Sequence, residues 1–176
     1  GLRGYTQGSA NIFKPAPAFG LFLSYFFDLR FALQFTFGTS NHSFHVTGDG
    51  NKDANGTVGM TQIAFDMKYY VNTQNVTKGL AKFNPYVITG FSLMDRTINV
   101  EGTNLGGKER GYAFDLGGGI EFPMMRNKMY FGGQVMYQLL NFKDKNTEIE
   151  FNGHVRTHSY ANGDSYTLLA IIGANF

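Results

Sequence analysis

Apolar and polar side chains alternate with a two-residue period along most of this chain, the pattern of a β-strand whose two faces meet different surroundings. The cleanest run is Leu29 to Gly38, with Leu29, Phe31, Leu33, Phe35 and Phe37 on one face and Arg30, Ala32, Gln34 and Thr36 on the other. The same alternation predicts strands at Ala18 to Phe26, Gln62 to Val71, Asn84 to Arg96, Gly111 to Phe122 and Lys128 to Leu140. A last run, Ser165 to Phe176, places Tyr166, Leu168, Ala170, Ile172, Ala174 and Phe176 together. Seven strands leave one without a closing partner, and the eighth is expected within residues 2–10, where the alternation is poor.

The connections predict how these strands are joined. Short turns fall near Asp28 and at Met124 to Asn127, and the link from Asn72 to Phe83 is intermediate. On the other side Asn11 to Pro17, Thr39 to Thr57, Thr97 to Arg110 and Asn141 to Asp164 are mostly longer, polar, and rich in Gly, Asn and Asp. Alternating short and long links suit an up-and-down antiparallel barrel that crosses an outer membrane, with both termini on the periplasmic side. Asn152-Gly153 is the dipeptide of a type I′ hairpin turn. Simple pairing about it sets Tyr130 opposite Asn175 and Gly133 opposite Ile172, with Asn162-Gly163 as a competing bend.

Which face is inside follows from volume. Eight strands enclose a space only wide enough for filling side chains or one small ligand, so the many bulky residues of the apolar face must point outward. The opposite face carries Gly, Ala, Ser, Gln and isolated charges, unlike the Lys- and Glu-rich surface of a soluble protein. The expected fold class is therefore all-β: a transmembrane up-and-down antiparallel β-barrel of eight strands, with a plugged polar interior and long extracellular hairpins. The 176 residues make a single domain, 1–176, and the 23 glycines with 18 Phe, 10 Tyr and no Trp fit strands and turns. Without cysteine there is neither a disulfide nor a thiolate metal site, and a net charge of +2 without basic runs argues against nucleic acid. The chain is expected to be the mature or an engineered form of an exported protein.

Two segments carry a family resemblance. Phe83-Asn84-Pro85-Tyr86-Val87-Ile88-Thr89-Gly90, followed by Phe114-Asp115-Leu116-Gly117-Gly118-Gly119-Ile120-Glu121-Phe122-Pro123, resembles the paired central strands of OmpA-like outer-membrane β-barrels, the OmpA/OmpX/OmpW type. Phe176 resembles the terminal assembly signal of such proteins. The resemblance implies eight antiparallel strands, location in the bacterial outer membrane, insertion by the barrel-assembly machinery, contact with lipid including lipopolysaccharide, and roles from anchoring to adhesion. The run ending at Phe176 would be the last strand, without the peptidoglycan-binding domain that some members add.

The expected interior holds one coherent polar constellation: Arg30, Lys68 and Arg96 against Asp66, Asp115 and Glu121, with Gln34, Gln62, Gln134 and Gln138 between them. Buried ions persist when they pair and hydrogen-bond, so a salt-bridged plug is the first reading and a narrow ion path the second. The four histidines, at 42, 45, 154 and 158, fall in expected loops, where solvated side chains are the default reading. His158-Ser159 invites comparison with lipid-modifying barrel enzymes, yet only that dipeptide matches. A zinc site from the four histidines would need two loops to converge. No catalytic residue, metal or cofactor is therefore expected. Gly117-Gly118-Gly119 lacks the Lys-Ser/Thr of a phosphate loop and is expected to make room for bulky neighbours, while Tyr25, Tyr69, Tyr112, Tyr130 and Tyr137 suit interface girdles.

The expected role is thus structural or surface-recognising: not an enzyme, a closed lumen, a monomer whose loops meet an extracellular protein or surface ligand. The alternative is a small-solute or ion-conducting barrel, with a lipid-modifying enzyme behind it.

Overall fold

Ten strands are found among the described residues of the computed structural model. It describes residues 1–6, 13–48, 52–72, 82–101, 106–142, 148–151, 154–157 and 164–175. In chain order the strands are β1 (Leu2–Tyr5), β2 (Ala16–Phe26), β3 (Phe31–Gly48), β4 (Lys52–Tyr70), β5 (Asn84–Val100), β6 (Gly106–Met124), β7 (Met129–Phe142), β8 (Glu148–Phe151), β9 (His154–Thr157) and β10 (Ser165–Ala174). Eight of them close an antiparallel barrel in the order β1-β10-β7-β6-β5-β4-β3-β2, and β8 and β9 form a separate ribbon. The eighth strand sought near the N-terminus is β1, only four residues long.

Alternation decides what faces where. Leu21, Phe65 and Phe91 point outward and are exposed, whereas Ala32, Gln34, Ala64, Asp66 and Lys68 are buried inside. Two adjacent rows make the contrast plain. Phe35, Phe65, Phe91 and Phe114 lie side by side across β3 to β6 on the outside. Phe35 and Phe65 have ring centroids 5.0 Å apart, and Phe91 and Phe114 5.4 Å. Such cross-strand aromatic pairs stabilise a sheet. One residue along, the row Gln34, Asp66, Gly90, Asp115 and Gln138 faces inward.

The interior is layered rather than uniformly polar. Towards the β3–β4 hairpin an apolar cluster of Tyr5, Phe13, Phe44, Val58, Met60, Met94, Ala113 and Leu140 fills the barrel, and towards the short turns a smaller one holds Tyr86, Ile88 and Met136. Polar groups lie between and beyond these layers.

Three expectations change. The segment 39–57 is mostly not a loop, because β3 and β4 remain paired from Phe31↔Tyr69 to Gly48↔Lys52. Likewise 97–110 is largely β5 and β6, paired as far as Asn99↔Gly106. Polar hairpin residues keep the strand conformation because the backbone ladder, not side-chain burial, sustains the extension. The β7–β10 register also differs by two residues, with Tyr130 opposite Gly173 and Gly133 opposite Ala170. The ribbon itself, with Phe151 opposite His154, obeys the pairing expected about Asn152-Gly153. Between the last barrel pair, Gln138↔Ser165, and the first ribbon pair, Glu148↔Thr157, the outgoing limb has nine residues (139–147) and the returning limb seven (158–164), so a two-residue surplus on the outgoing side shifts the barrel register while preserving which face points inward.

Closure is uneven. The β1–β2 seam consists of the pairs Leu2↔Pro17 and Arg3↔Ala16, extended by mutual backbone hydrogen bonds between Gly1 and Ala18.

Candidate functional site: the charged interior

The inward row of β3 to β7 continues around the barrel, because Ser24 lies opposite Gln34, Ser165 opposite Gln138, and Tyr5 opposite Ser165. The result is a belt of polar side chains supplied by every wall strand except β5. Gly90 is its one position without a side chain. It stands between Asp66 and Asp115, and a Cβ there would lie 2.5 Å from Asp66 Oδ1. The glycine therefore lets two carboxyls from strands that are not neighbours meet above it, and they are in hydrogen-bonding contact. Asp115 Oδ1 accepts from Ser92 Oγ at 3.0 Å and from Gln138 Nε2 at 2.8 Å.

Arg3 occupies the place that sequence reasoning assigned to Arg30. Its guanidinium is buried and donates to Thr167 Oγ1 at 3.1 Å, to Gln138 Oε1 at 2.7 Å and to Gln62 Oε1. Arg30 instead sits exposed in the β2–β3 turn, four residues before Gln34 and already beyond the end of the paired strand. Alternation through Leu29 to Gly38 continues past the strand itself, which is why it overreached. For Arg3 the available signal was the parity of Arg3 and Tyr5 against Leu2 and Gly4, too short a run to read alone.

The other predicted ions are inside and paired. Lys68 Nζ donates to Glu121 Oε1 at 2.9 Å and lies 4.1 Å from the Tyr86 ring centroid, so a carboxylate and an aromatic face replace its water shell. Tyr70 Oη donates to both Glu121 oxygens at 3.2 Å. Arg96 pairs with Glu109, which lies on β6 and not in the loop expected at Thr97 to Arg110. Gln134 accepts from the Tyr86 hydroxyl at 2.8 Å, and Gln34 donates to Thr36 at 2.9 Å.

Several smaller expectations can be placed. His42 is not a solvated loop residue: it is buried on β3, with Nε2 3.0 Å from Ser40 Oγ and Nδ1 3.0 Å from the Lys14 carbonyl oxygen. Three residues on, His45 is exposed and contacts Asn55, so the strand turns the two rings to opposite faces and they cannot share a metal. Among the described residues no cluster of metal-binding side chains occurs. His158, Ser159 and Phe176 lie outside the described residues. Gly119 does make room, since a Cβ there would fall onto the Tyr86 phenol and 2.6 Å from the Gly133 carbonyl oxygen. Tyr25, Tyr112 and Tyr137 are on the outside as girdle residues should be, but Tyr130 shares the inward parity of Gln134 and its ring packs over Gly173.

An outward apolar band around a closed, side-chain-filled barrel defines a transmembrane β-barrel, since in lipid every backbone polar group of a spanning element must find its partner within the protein. The chain belongs to the outer membrane protein β-barrel domain family, whose model matches residues 3–166. No curated protein and no solved structure matches the chain. The family places it in the bacterial outer membrane.

Proposed function

We propose that this protein is a structural and surface-recognition barrel with a closed lumen, not an enzyme and not a steady pore. The observation that carries this reading is the filled interior: Lys68, Met60, Ile88, Met94, His42, Gln138 and Asp115 are completely or almost completely shielded from solvent, and Arg3 of β1 reaches over to Gln62 of β4 and Gln138 of β7. Conduction through such a plug requires breaking buried pairs, each costing several kcal/mol. The chain ends face the periplasm together with the short turns, and the β3–β4, β5–β6 and β7–β10 hairpins face outward from the cell. The barrel acts as a monomeric base set in lipid and lipopolysaccharide, inserted by the barrel-assembly machinery through a signal that includes Phe176. The hairpins, above all the one carrying the β8–β9 ribbon, meet an extracellular protein or surface ligand.

Planar-bilayer recording of the purified protein tests the closed lumen: little or no steady conductance is expected. Steady conduction whose ion selectivity changes in Asp115→Asn, with stability retained, would replace this reading with the transport alternative. Exchanging residues 143–164 for an Asn-Gly turn should leave the barrel folded and abolish adhesion to host or abiotic surfaces. Unchanged adhesion would remove that hairpin from the proposal.

A further inference from the structure

The belt contains more negative than positive charge. Among the described residues the interior holds three cations, Arg3, Lys68 and Arg96, against four carboxyls, Asp66, Asp115, Glu121 and Glu109. Lys68 is bound to Glu121 and Arg96 to Glu109. That leaves Arg3, which acts on Asp115, as the remaining cation for the Asp66 and Asp115 pair. Two touching carboxylates balanced by one guanidinium would carry a net negative charge in a space closed to water, an arrangement that costs several kcal/mol.

The hydrogen-bond pattern identifies what is missing. Asp115 Oδ1 is saturated by Ser92 and Gln138, but Asp115 Oδ2 and Asp66 Oδ1 are buried without any donor, although the two carboxyls are in contact. Ionised carboxylates only accept hydrogen bonds, so such a contact requires a hydrogen atom between them. One shared proton supplies it and brings the belt to neutrality with Arg3.

We infer that Asp66 and Asp115 form a proton-binding dyad inside the barrel, assembled over Gly90. The other charged groups facing it are Arg3 from β1, acting on Asp115, and Lys68 from β4, acting on Asp66. Uncharged neighbours are Gln34 from β3, Ser92 from β5, Gln138 from β7 and Ser165 from β10. Loss of the proton leaves two negative charges in contact, so the dyad makes the packing of the interior sensitive to alkali. In the unfolded chain both carboxyls are solvated and ionised above the ordinary carboxylate range. The folded barrel then holds one more proton than the unfolded chain, and the sign of linkage follows: stability falls as pH rises, by a factor of about ten in the unfolding equilibrium per pH unit, until the dyad ionises.

The test uses the full chain refolded in lipid or detergent at neutral pH. Infrared spectroscopy of the parent should show the carbonyl stretch of a protonated, deuterium-exchangeable carboxylic acid. Asp66→Asn and Asp115→Asn should each remove it, because an amide supplies the missing hydrogen-bond donor at unchanged net charge. Denaturant unfolding over the alkaline range should follow the tenfold slope in the parent and be flat in Asp66→Asn. Should either variant fail to fold, the parent's band and slope decide the matter alone. Absence of the band from the folded parent, its persistence in both folded Asn variants, or a parent stability independent of pH would overturn the dyad. So would loss of the band on adding sodium or calcium with a gain in stability, which would assign the site to a metal cation.

Discussion

Single side chains in this barrel are held to account by the absence of water. Lys68 is buried with Glu121 and the Tyr86 face both in reach. Glu121→Gln should therefore destabilise the barrel by about 3–5 kcal/mol, the cost of stranding a buried ion, while Lys68→Met combined with Glu121→Gln should recover most of it; denaturant titration of the refolded protein measures both. Gly119→Ala puts a methyl group against the Tyr86 phenol and the Gly133 carbonyl, and a loss of about 1–3 kcal/mol is expected by the same measurement. In the β2–β3 turn, Asp28 accepts backbone hydrogen bonds from Arg30 at 2.6 Å and Phe31 at 2.9 Å, which hold its carboxyl below the usual carboxylate range. Its contribution is thus present above that range and lost as pH falls through the lowered value. Asp28→Asn should abolish that acid-side loss in unfolding titrations, at a site fully open to solvent.

Strands were legible in the sequence to the extent that their side chains alternate, and their ends were not. β3 was expected to stop at Gly38 and continues to Gly48, because Asn41, His42 and Ser43 carry no clear apolar period although their backbones remain paired. Arg30 failed in the opposite sense, where alternation outlasted the strand. Turns add a constraint that side-chain pattern does not reveal: between β6 and β7, Met125, Arg126 and Asn127 all have positive φ, at 49°, 58° and 66°. Asn tolerates this conformation, whereas Met and Arg pay for it sterically. Arg126→Gly should stabilise the barrel by about 0.5–1 kcal/mol, the steric relief less the added freedom of glycine in the unfolded chain, read as a higher midpoint in denaturant.

For the molecule as a whole, closure removes sheet edges and buries the backbone ladder, so unfolding in detergent is slow without heat. An unheated sample should run anomalously in a denaturing gel and shift on boiling, with circular dichroism dominated by strand; a boiling-independent mobility would count against a closed barrel. The uneven β1–β2 seam, two residue pairs long, is where opening should begin, and hydrogen exchange should be faster at Leu2 to Tyr5 than along β4 and β5.

The two-residue period, the crowding of bulky groups on one face and the rhythm of turns determined on their own that this chain is an outward-apolar barrel and that Lys68, Arg96, Asp66, Asp115 and Glu121 lie inside. These are local properties, repeated in strand after strand. Which of those charges meet was decided only by tertiary structure, because inter-strand register, the stagger of eight strands and the empty place at Gly90 bring together side chains far apart in sequence. Arg3 enters the belt from a four-residue strand too short to show a period, and Asp66 meets Asp115 across β5, where Gly90 leaves the space open. Alternation reports a residue's face, and closure of the barrel determines its neighbours.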